Sequence, residues 1–265
     1  MEYEFTFAIC AYGDSVYLEN AIESAEKQTI PVQIILATST PSPFLEDMAK
    51  KHGLPYFVNP KHTGIADDWN FALSQIRTPY GAILHQDDVY FPEYARKVME
   101  QFHRHPDAGI IFTDYADLRD DGKIRRNLLY LQVKRILLWP FYLKHVHRSC
   151  FWKTMILRFG SSISCPAVSY NCTGEKMLFD GSYTVDLDWD MWLRKAKQKG
   201  AFVYVPECLM AHRIAAGQET SAAIADHRRY QEDLRIFTRL WGKTIAGLLM
   251  KLYAISYRSN RSVKK

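Results

Sequence analysis

The sequence predicts an α/β protein with a mostly parallel sheet flanked by helices. Apolar runs of strand length alternate with helical patterns through the first half of the 265 residues, and the connections between them are short. Such alternation indicates a parallel sheet covered on both faces. The composition, 48% hydrophobic and 24% charged, is ordinary for a folded domain. Ligands of such sheets bind at the carboxyl ends of the strands, so the residues that follow each strand are the first candidates for a site.

The elements of the first half follow from apolar spacing and turn residues. Leu18, Ile22 and Ala25 form one stripe of the first helix, and Ser15 or Asp14 is a suitable N-cap for it. The predicted strands cover residues 5–10, 32–37, 55–58, 80–84 and 109–113, and the predicted helices cover residues 15–29, 43–52, 65–76 and 92–104.

The pattern changes after the turn Asp120-Asp121-Gly122. A basic and aromatic segment comes first, and a strand near residues 201–205 and a helical pattern over about 225–253 follow it. We therefore expect one domain with two halves and a C-terminal helical extension that ends in a basic tail. The expected boundaries are residues 1–221 for the domain, 1–121 and 122–221 for its halves, and 222–265 for the extension.

Charge is distributed unevenly along the chain. The net charge of +5 suits phosphate-bearing ligands or an anionic membrane surface, and it is far from the profile of a nucleic-acid-binding protein. Residues 122–174 contain nine Lys or Arg and no Asp or Glu, and residues 242–265 contain six and again no acid.

An apolar stripe runs along the C-terminal helical pattern. We expect its first part to pack on the domain as far as Trp241. Beyond Gly242, the stripe and the basic residues predict reversible binding to an anionic membrane, to which the basic segment at 123–158 could contribute. The stripe consists of Leu234, Phe237, Trp241, Ile245, Leu248 and Leu252.

Cysteine usage and the apolar runs indicate a compartment. The five cysteines are odd in number and scattered, which supports neither a disulfide framework nor a zinc site. The N-terminus lacks the features of a signal peptide. The longest apolar run, 136–143, is interrupted by Pro140 and is far shorter than the ~20 residues of a membrane span. We expect a cytoplasmic protein that could attach peripherally to the inner face of the cell membrane.

The tetrapeptide His85-Gln86-Asp87-Asp88 follows the predicted strand 80–84 directly. Two adjacent carboxylates at a strand end can bind Mg²⁺ or Mn²⁺, with water and phosphate oxygens as the other ligands. We expect the pair to face solvent. Alternatively, the two acids begin a loop and cap the helix that follows. The glycine-rich dinucleotide and P-loop fingerprints do not occur, so a nucleotide would be held differently.

Three alternating acids, Asp186, Asp188 and Asp190, lead into a predicted helix. Acids at helix N-termini satisfy exposed N–H groups and oppose the helix dipole. The same position keeps a carboxylate ionised, so that it can accept a proton at neutral pH. Two roles therefore remain open for this cluster: the acids cap the helix, or one of them acts as a general base.

Four segments in this order resemble the family 2 glycosyltransferases, over residues 5–221. The resemblance implies a GT-A fold with a Rossmann-like sheet. It also implies inverting transfer of a sugar from a nucleoside-diphosphate-sugar to a hydroxyl of a glycan or lipid-linked acceptor, in bacterial cell-surface polysaccharide assembly. Residues 1–121 would bind the nucleotide and 122–221 the acceptor. The four segments are residues 11–29, which begin AYGD, residues 59–73 (NPKHTGIADDWNFAL), HQDD at 85–88 and LDWDMWLR at 187–194.

The resemblance also implies roles for single residues. Tyr12 would stack on the nucleobase, and Asp87 would contact the ribose or the metal. Asp88 would hold Mg²⁺ or Mn²⁺ against the donor diphosphate. Asp188 would deprotonate the acceptor hydroxyl. The implied nucleotide-sugar-binding residues are Tyr12, Thr38, Asp68 and Asp87.

Three positions depart from the family pattern. Thr38-Ser39 stands where the family usually has an Asp that reads uracil, which weakens the argument for a UDP donor. His85 replaces the first Asp of the Asp-x-Asp motif. Ala215 replaces a His that often closes over the diphosphate. His212 could substitute for that His, although a packed or surface role is commoner for a lone His beside a strand.

Two rival functions follow from the same residues. A non-catalytic relative that binds a nucleotide or glycan is favoured by Ala215, but the presence of Asp87, Asp88 and Asp188 together argues against it. A nucleotidyltransferase would need a glycine-rich, basic loop after the first strand, and residues 11–15 are neither.

Overall fold

The computed structural model of the chain describes residues 3–61, 63–119, 121–174, 178–214 and 228–261. The strands are β1 (Phe5–Ala11), β2 (Gln33–Thr38), β3 (Tyr56–Val58), β4 (Tyr80–His85), β5 (Val89–Tyr90), β6 (Ala108–Arg119), β7 (Ile124–Arg125), β8 (Val146–His147), β9 (Val168–Asn171) and β10 (Ala201–Ile214). The helices are α1 (Leu18–Glu26), α2 (Pro43–Lys51), α3 (Ile65–Gln75), α4 (Tyr94–Arg104), α5 (Leu129–Leu137), α6 (Trp139–Leu143), α7 (Cys150–Met155), α8 (Leu187–Ala196) and α9 (Arg228–Arg261).

The described strands form one sheet in the order β3-β2-β1-β4-β9-β6-β10-β5, with β7 on β6 and β8 on β10. The pairs β3–β2, β2–β1, β1–β4 and β6–β10 are parallel. The short strand β9 lies antiparallel between β4 and β6. The α/β class and the elements of the first half are confirmed. Strand β9 was not predicted, because its four residues carry no pattern that separates them from a loop.

Helices cover both faces of the sheet because β1 is apolar on both sides. Phe7 and Ile9 belong to the core that includes residues of α1, α2 and α4. Ala8, which lies between them on the opposite face, belongs to a second cluster with Ala72 of α3. A strand that is buried on both faces reads as a continuous apolar run, which is how this sequence reads.

Two predicted details are wrong. Helix α1 begins at Leu18 with Tyr17 as N-cap, whereas Ser15 accepts the N–H of Tyr17 and Asp14 accepts the hydroxyl of Ser42. Strands β6 and β10 are also much longer than predicted. They pair with each other along almost their whole length, and irregularities between Val205 and Met210 let β10 continue towards the site. This pairing partner is remote in sequence, so local patterns did not show it.

The apolar stripe predicted for the C-terminal helix is interrupted at Gly242. Gly242 breaks α9, with a φ of 75° that a side chain would rarely adopt. Phe237 before the break and Ala246 and Met250 after it are buried. Ile245 and Leu248 belong to the predicted stripe, yet they are 46% and 62% exposed. The side chain of Leu252 lies outside the described residues.

Candidate active site

The carboxyl ends of β1, β2, β4, β6 and β10 meet at one edge of the sheet. Asp88 lies just after β4 and is fully buried there, so the prediction that the acid pair faces solvent is wrong for this residue. Its Oδ1 accepts a hydrogen bond from the Arg213 N–H at 2.9 Å and lies 2.8 Å from His212 Nδ1. Burial raises the pKa of Asp88, but His212 and then His85 more than offset this and hold the pKa well below its usual range. Asp88 is therefore a carboxylate fixed in its ionised form.

His212 belongs to the site, against the commoner packing role that the sequence suggested. It lies on β10 opposite Asp117 of β6. Burial lowers the pKa of His212, but the Asp88 carboxylate outweighs burial and raises the pKa to about 9. Ala215, which stands where the family pattern has a His, lies outside the described residues.

His85, Asp87 and Asp88 form a group that can hold a metal ion. Each offers one ligand atom, and these atoms lie within 4.8 Å of one another. His85 Nε2 is buried and has no hydrogen-bond partner among the described residues, whereas His85 Nδ1 lies 3.3 Å from Asp88 Oδ2. The ring of Trp69 stacks on His85 at 5.1 Å and 15°, which fixes the plane of the imidazole. One imidazole and two carboxylates fit a divalent cation such as Mn²⁺, so the residues present are suited to the metal that the family resemblance implies.

The loop after β1 is tied to this group through Gln86. Its side-chain amide accepts the N–H of Tyr12 and donates to the Tyr12 carbonyl, both at 3.0 Å. The Tyr12 side chain is 60% exposed, as an aromatic platform for a base would be. No role was predicted for Gln86. Its position directly after β4, the neighbour of β1 in the sheet, could have indicated a contact with the loop after β1.

Thr38 and Asp68, predicted to bind the nucleotide sugar, lie together at the end of β2. Thr38 is buried and its hydroxyl accepts the N–H of Thr40 at 3.0 Å. Asp68 on α3 is buried and accepts hydrogen bonds from Ser39 at 3.0 Å and from Asn59 at 3.2 Å. Helix α3 therefore brings a carboxylate to the strand end at which the family's usual Asp is missing.

Asp188 lies in the first turn of α8, and its Oδ1 accepts the N–H of Trp189 at 2.7 Å. Burial raises its pKa, and the charges of Lys134, Arg229 and His85 only partly counteract this. The position of Asp188 at the helix N-terminus therefore does not lower its pKa below the ordinary value, and the role of Asp188 as a general base stays a prediction. Since the charge of His85 acts on Asp188, the predicted base lies near the predicted metal group.

The other two acids of the cluster have structural partners. Asp190 is buried, with Arg194 bound to one carboxylate oxygen and Arg239 to the other, both at 2.6 Å. Asp186 is the N-cap residue, yet its side chain makes no capping hydrogen bond, and it lies buried 3.5 Å from Arg229. Asp188 differs from the other two acids. Among the described residues, no arginine and no residue of a second helix contacts its side chain directly.

The loop before Asp188 is held by α9. The carboxylate of Glu232 accepts the N–H groups of Thr184, Val185 and Asp186 at 2.8–2.9 Å, and also the Thr184 hydroxyl. Arg235 donates to the Ser182 carbonyl at 3.0 Å. The C-terminal helix therefore helps to form the site. No sequence signal pointed to Glu232, because its partners are backbone groups about 47 residues away.

Helix α5, from the basic and aromatic segment, lies along the same edge of the sheet. Tyr130 hydrogen-bonds to the buried Asp117 of β6. Arg135 pairs with Asp114 at 3.0 Å, and the Lys134 ammonium lies over the ring of Tyr115. One face of α5 is thereby fixed on the ends of the strands, next to Asp188.

Comparisons with known proteins bear on the family and the fold. The family model described as glycosyl transferase family 2 matches residues 6–164, more than half of the chain. An uncharacterized glycosyltransferase of Methanocaldococcus jannaschii is 23% identical over 208 residues, which are 75% of this chain and 66% of that protein.

Two solved structures show the same fold. Residues 1–349 of S. aureus TarS, in complex with UDP-GlcNAc, match with a TM-score of 0.62 and 13% identity over 88% of this chain and 65% of that one. A mannosyltransferase of Pyrobaculum calidifontis, in complex with GDP-Man and Mn²⁺, matches with a TM-score of 0.59 and 12% identity over 89% and 63%. The predicted GT-A fold is confirmed. This chain spans just under two thirds of the length of the chain in each of these two structures.

Proposed function

This chain belongs to glycosyl transferase family 2, and we propose that it transfers a sugar from a nucleoside-diphosphate-sugar to a hydroxyl of a glycan or lipid-linked acceptor, with inversion. The observation that carries this proposal is that His85, Asp87 and the buried Asp88 form one group at the edge of the sheet at which a separate carboxylate, Asp188, also lies. The bound nucleotide sugars of TarS and of the mannosyltransferase support a donor of this class.

The donor would lie across the ends of β1, β2 and β4. Tyr12 would stack on the base, and Thr38 and Asp68 would line the pocket for the nucleoside. Asp87 and Asp88, with His85, would hold Mg²⁺ or Mn²⁺ against the diphosphate, and the cation neutralises charge on the departing diphosphate. The carboxylate of Asp88 suits this task because it stays ionised while buried.

The acceptor would approach from the side of α5 and α8. A carboxylate oxygen of Asp188 would take the proton of the acceptor hydroxyl while the hydroxyl oxygen attacks the anomeric carbon and the nucleoside diphosphate departs. One displacement with one base on the acceptor side gives inversion. The raised pKa of Asp188 makes it a better proton acceptor than an exposed carboxylate would be.

We also propose that this reaction serves the assembly of cell-surface polysaccharides or glycans and that it takes place on the cytoplasmic side of the membrane. The thiols of Cys10, Cys150, Cys165 and Cys208 support a reducing compartment. None of the helices in the described part of the chain is long and apolar enough to cross a bilayer.

Calorimetric titration and product analysis test the proposal together. We expect UDP or GDP to bind with Mn²⁺ present and to bind much more weakly after chelation. We also expect a matching nucleotide sugar to release its diphosphate when an acceptor is supplied, with the opposite anomeric configuration in the product by NMR. Metal-dependent binding with no transfer to any acceptor in a broad panel would instead favour the non-catalytic relative.

A further inference from the structure

Helix α5 has an apolar face that nothing in the described structure covers. Leu129, Val133 and Ile136 are 75%, 48% and 68% exposed. Their spacing of four and three residues places them on one side of the helix. The opposite side carries Tyr130 and Arg135, which are bound to the ends of the sheet strands. The exposure of three aliphatic residues is therefore a consequence of how α5 is anchored.

The two helices that follow carry further exposed apolar residues. The Trp139 ring packs edge-on against Trp152, and Phe151 packs edge-on against the same ring. Trp139 and Phe151 remain 49% and 55% exposed, and Leu143 is 79% exposed. Tryptophan is enriched where proteins meet lipid headgroups, because its ring is apolar and its N–H is polar.

The fold joins this surface to the end of the chain. Trp241 on α9 packs against the ring of Phe159 at 5.1 Å, and the Arg158 guanidinium lies 4.0 Å from the centre of the Trp241 ring. Just beyond this contact, α9 breaks at Gly242 and exposes Ile245 and Leu248. Beyond the break, the Tyr253 hydroxyl lies against Gly160. The two acid-free segments, residues 122–174 and 242–265, are therefore in contact although they are far apart in sequence.

The charge of these two segments is of one sign. Some of their basic residues face inwards and do not contribute to the surface: Arg135 pairs with Asp114, and Lys153 is buried against carbonyl oxygens. Others are exposed on the same segments, and neither segment contains an acid. The exposed basic residues include Lys123, Arg126, Lys144, Lys243 and Lys251.

We propose that this surface, the exposed apolar residues of α5, α6, α7 and the part of α9 after Gly242 with the basic residues around them, docks on an anionic lipid bilayer. Leu129, Ile136 and Leu143 would enter the headgroup region and the basic side chains would contact the lipid phosphates. Exposed apolar residues that are grouped in this way and accompanied by basic residues indicate a binding surface.

Charge distinguishes the bilayer from a second copy of the chain. A two-fold contact through this surface would place the same patch on both sides, so Lys123, Lys144 and Lys243 would face other basic residues. The neighbouring acids Asp121 and Asp107 are already paired with Arg125 and Arg148. An anionic bilayer offers negative charge and an apolar interior together. Because no helix in the described residues can span a membrane, the contact would be peripheral.

Docking in this way would place the candidate site close to the lipid. The exposed and the anchored faces of α5 are one helix diameter apart, about 10 Å. Lys134, whose charge acts on Asp188, lies on this same helix. A lipid-linked acceptor could therefore reach Asp188 without leaving the bilayer. This consequence rests on the proposed function, whereas the binding itself does not.

Vesicle flotation of the full chain tests the proposal. Phosphatidylglycerol vesicles should carry the protein at low salt, high salt should release it, and phosphatidylcholine vesicles should bind little. The variant Leu129→Ser, Ile136→Ser, Leu143→Ser should lose roughly tenfold or more of this binding, because the apolar insertion is gone. The charge-reversal substitutions Lys243→Glu and Lys251→Glu should weaken binding to phosphatidylglycerol vesicles. They should not change the weak binding to phosphatidylcholine vesicles.

A matched control keeps the comparison specific. Val16, Phe44 and Leu178 are 82%, 37% and 55% exposed elsewhere on the molecule, and changing all three to Ser should leave vesicle binding unchanged. Absence of binding to phosphatidylglycerol at low salt would overturn the proposal, as would equal losses in the two triple variants. So would a concentration-dependent dimer that the first triple variant abolishes. None of these results depends on turnover, so the proposed function is tested separately.

Discussion

The two sides of the candidate site are built differently. On the donor side, Asp88 follows β4 and is bound by His212 and Arg213 of β10, so strands of one sheet hold the group. On the acceptor side, Asp188 begins α8, and the loop before it is held by Glu232 of α9. The sheet and the adjacent helix α3, whose Trp69 stacks on His85, position the donor side. The acceptor side also requires the C-terminal helix, so changes in that helix should affect catalysis more than donor binding.

The electrostatics of the two sides are opposite as well. Both carboxyl groups are in surroundings that disfavour charge. At Asp88, His212 and then His85 outweigh burial and lower the pKa. At Asp188 burial prevails and the pKa is raised. A metal ligand must remain ionised, whereas a general base must be able to gain a proton, so the difference matches the two proposed roles.

Removal of the proposed base should give the largest effect. We expect Asp188→Asn to lower kcat on the order of 10²-fold or more, with the donor Kd nearly unchanged, because proton transfer is lost and donor contacts are kept. Steady-state turnover and calorimetry measure the two quantities. Asp190→Asn is the matched control and should mainly lower stability, since Arg194 and Arg239 lose a partner. If Asp190→Asn alone abolishes kcat, the base is misassigned.

Removal of the donor-side acids should separate metal binding from stability. We expect Asp87→Asn to weaken Mn²⁺-dependent diphosphate binding by roughly 10- to 100-fold with little change in Tm, since Asp87 is only half-buried. Asp88→Asn should weaken binding similarly and also lower the free energy of unfolding by about 1–3 kcal/mol, because buried hydrogen bonds to a charged group are lost. Unchanged Mn²⁺-dependent affinity in both variants would remove the metal assignment.

Loosening of the loop before Asp188 should give a smaller and selective effect. We expect Glu232→Gln to lower kcat by about 5- to 20-fold with the donor Kd unchanged, which is less than the 10²-fold that a misplacement of about 1 Å can cost. Glu232→Asp should recover part of the loss. Glu207→Gln, which breaks an exposed pair with Lys97, is the control and should have no effect. Equal losses of kcat and donor affinity in Glu232→Gln would contradict the asymmetry between the two sides.

The pH dependence should show the smallest effect. Because the pKa of Asp188 is raised, kcat should fall as the pH drops through that pKa, at a higher pH than for an exposed Asp. Among the charges that lower this pKa, Lys134 acts most strongly. Lys134→Met should therefore move the acid limb of the kcat profile to higher pH, while donor binding keeps its own profile. A shift to lower pH, or no shift, would show that Lys134 does not act on the base.

Local patterns were sufficient for the donor side. The apolar run before His85 predicted a buried strand, and the place of Asp87 and Asp88 after it predicted the edge of the sheet at which they lie. Similarly, α2 begins at Pro43 with the side chain of Ser42 capping it and ends before Gly53, as turn and cap residues indicate. These features depend on neighbouring residues in the chain, so they can be read from it.

The sequence by itself therefore determined the α/β class, the order of the elements in the first half, the family and the acids that lie at the strand ends. The tertiary structure decided which acid is buried, which histidine faces Asp88, which helix holds the loop of Asp188, and that the two acid-free segments touch. The physical reason is that burial, pKa and surface contiguity depend on groups remote in the chain. His212 lies 124 residues from Asp88, and Trp241 lies 83 residues from Arg158. No local pattern contains such distances, because folding brings these groups together only when the whole sheet and the C-terminal helix have formed.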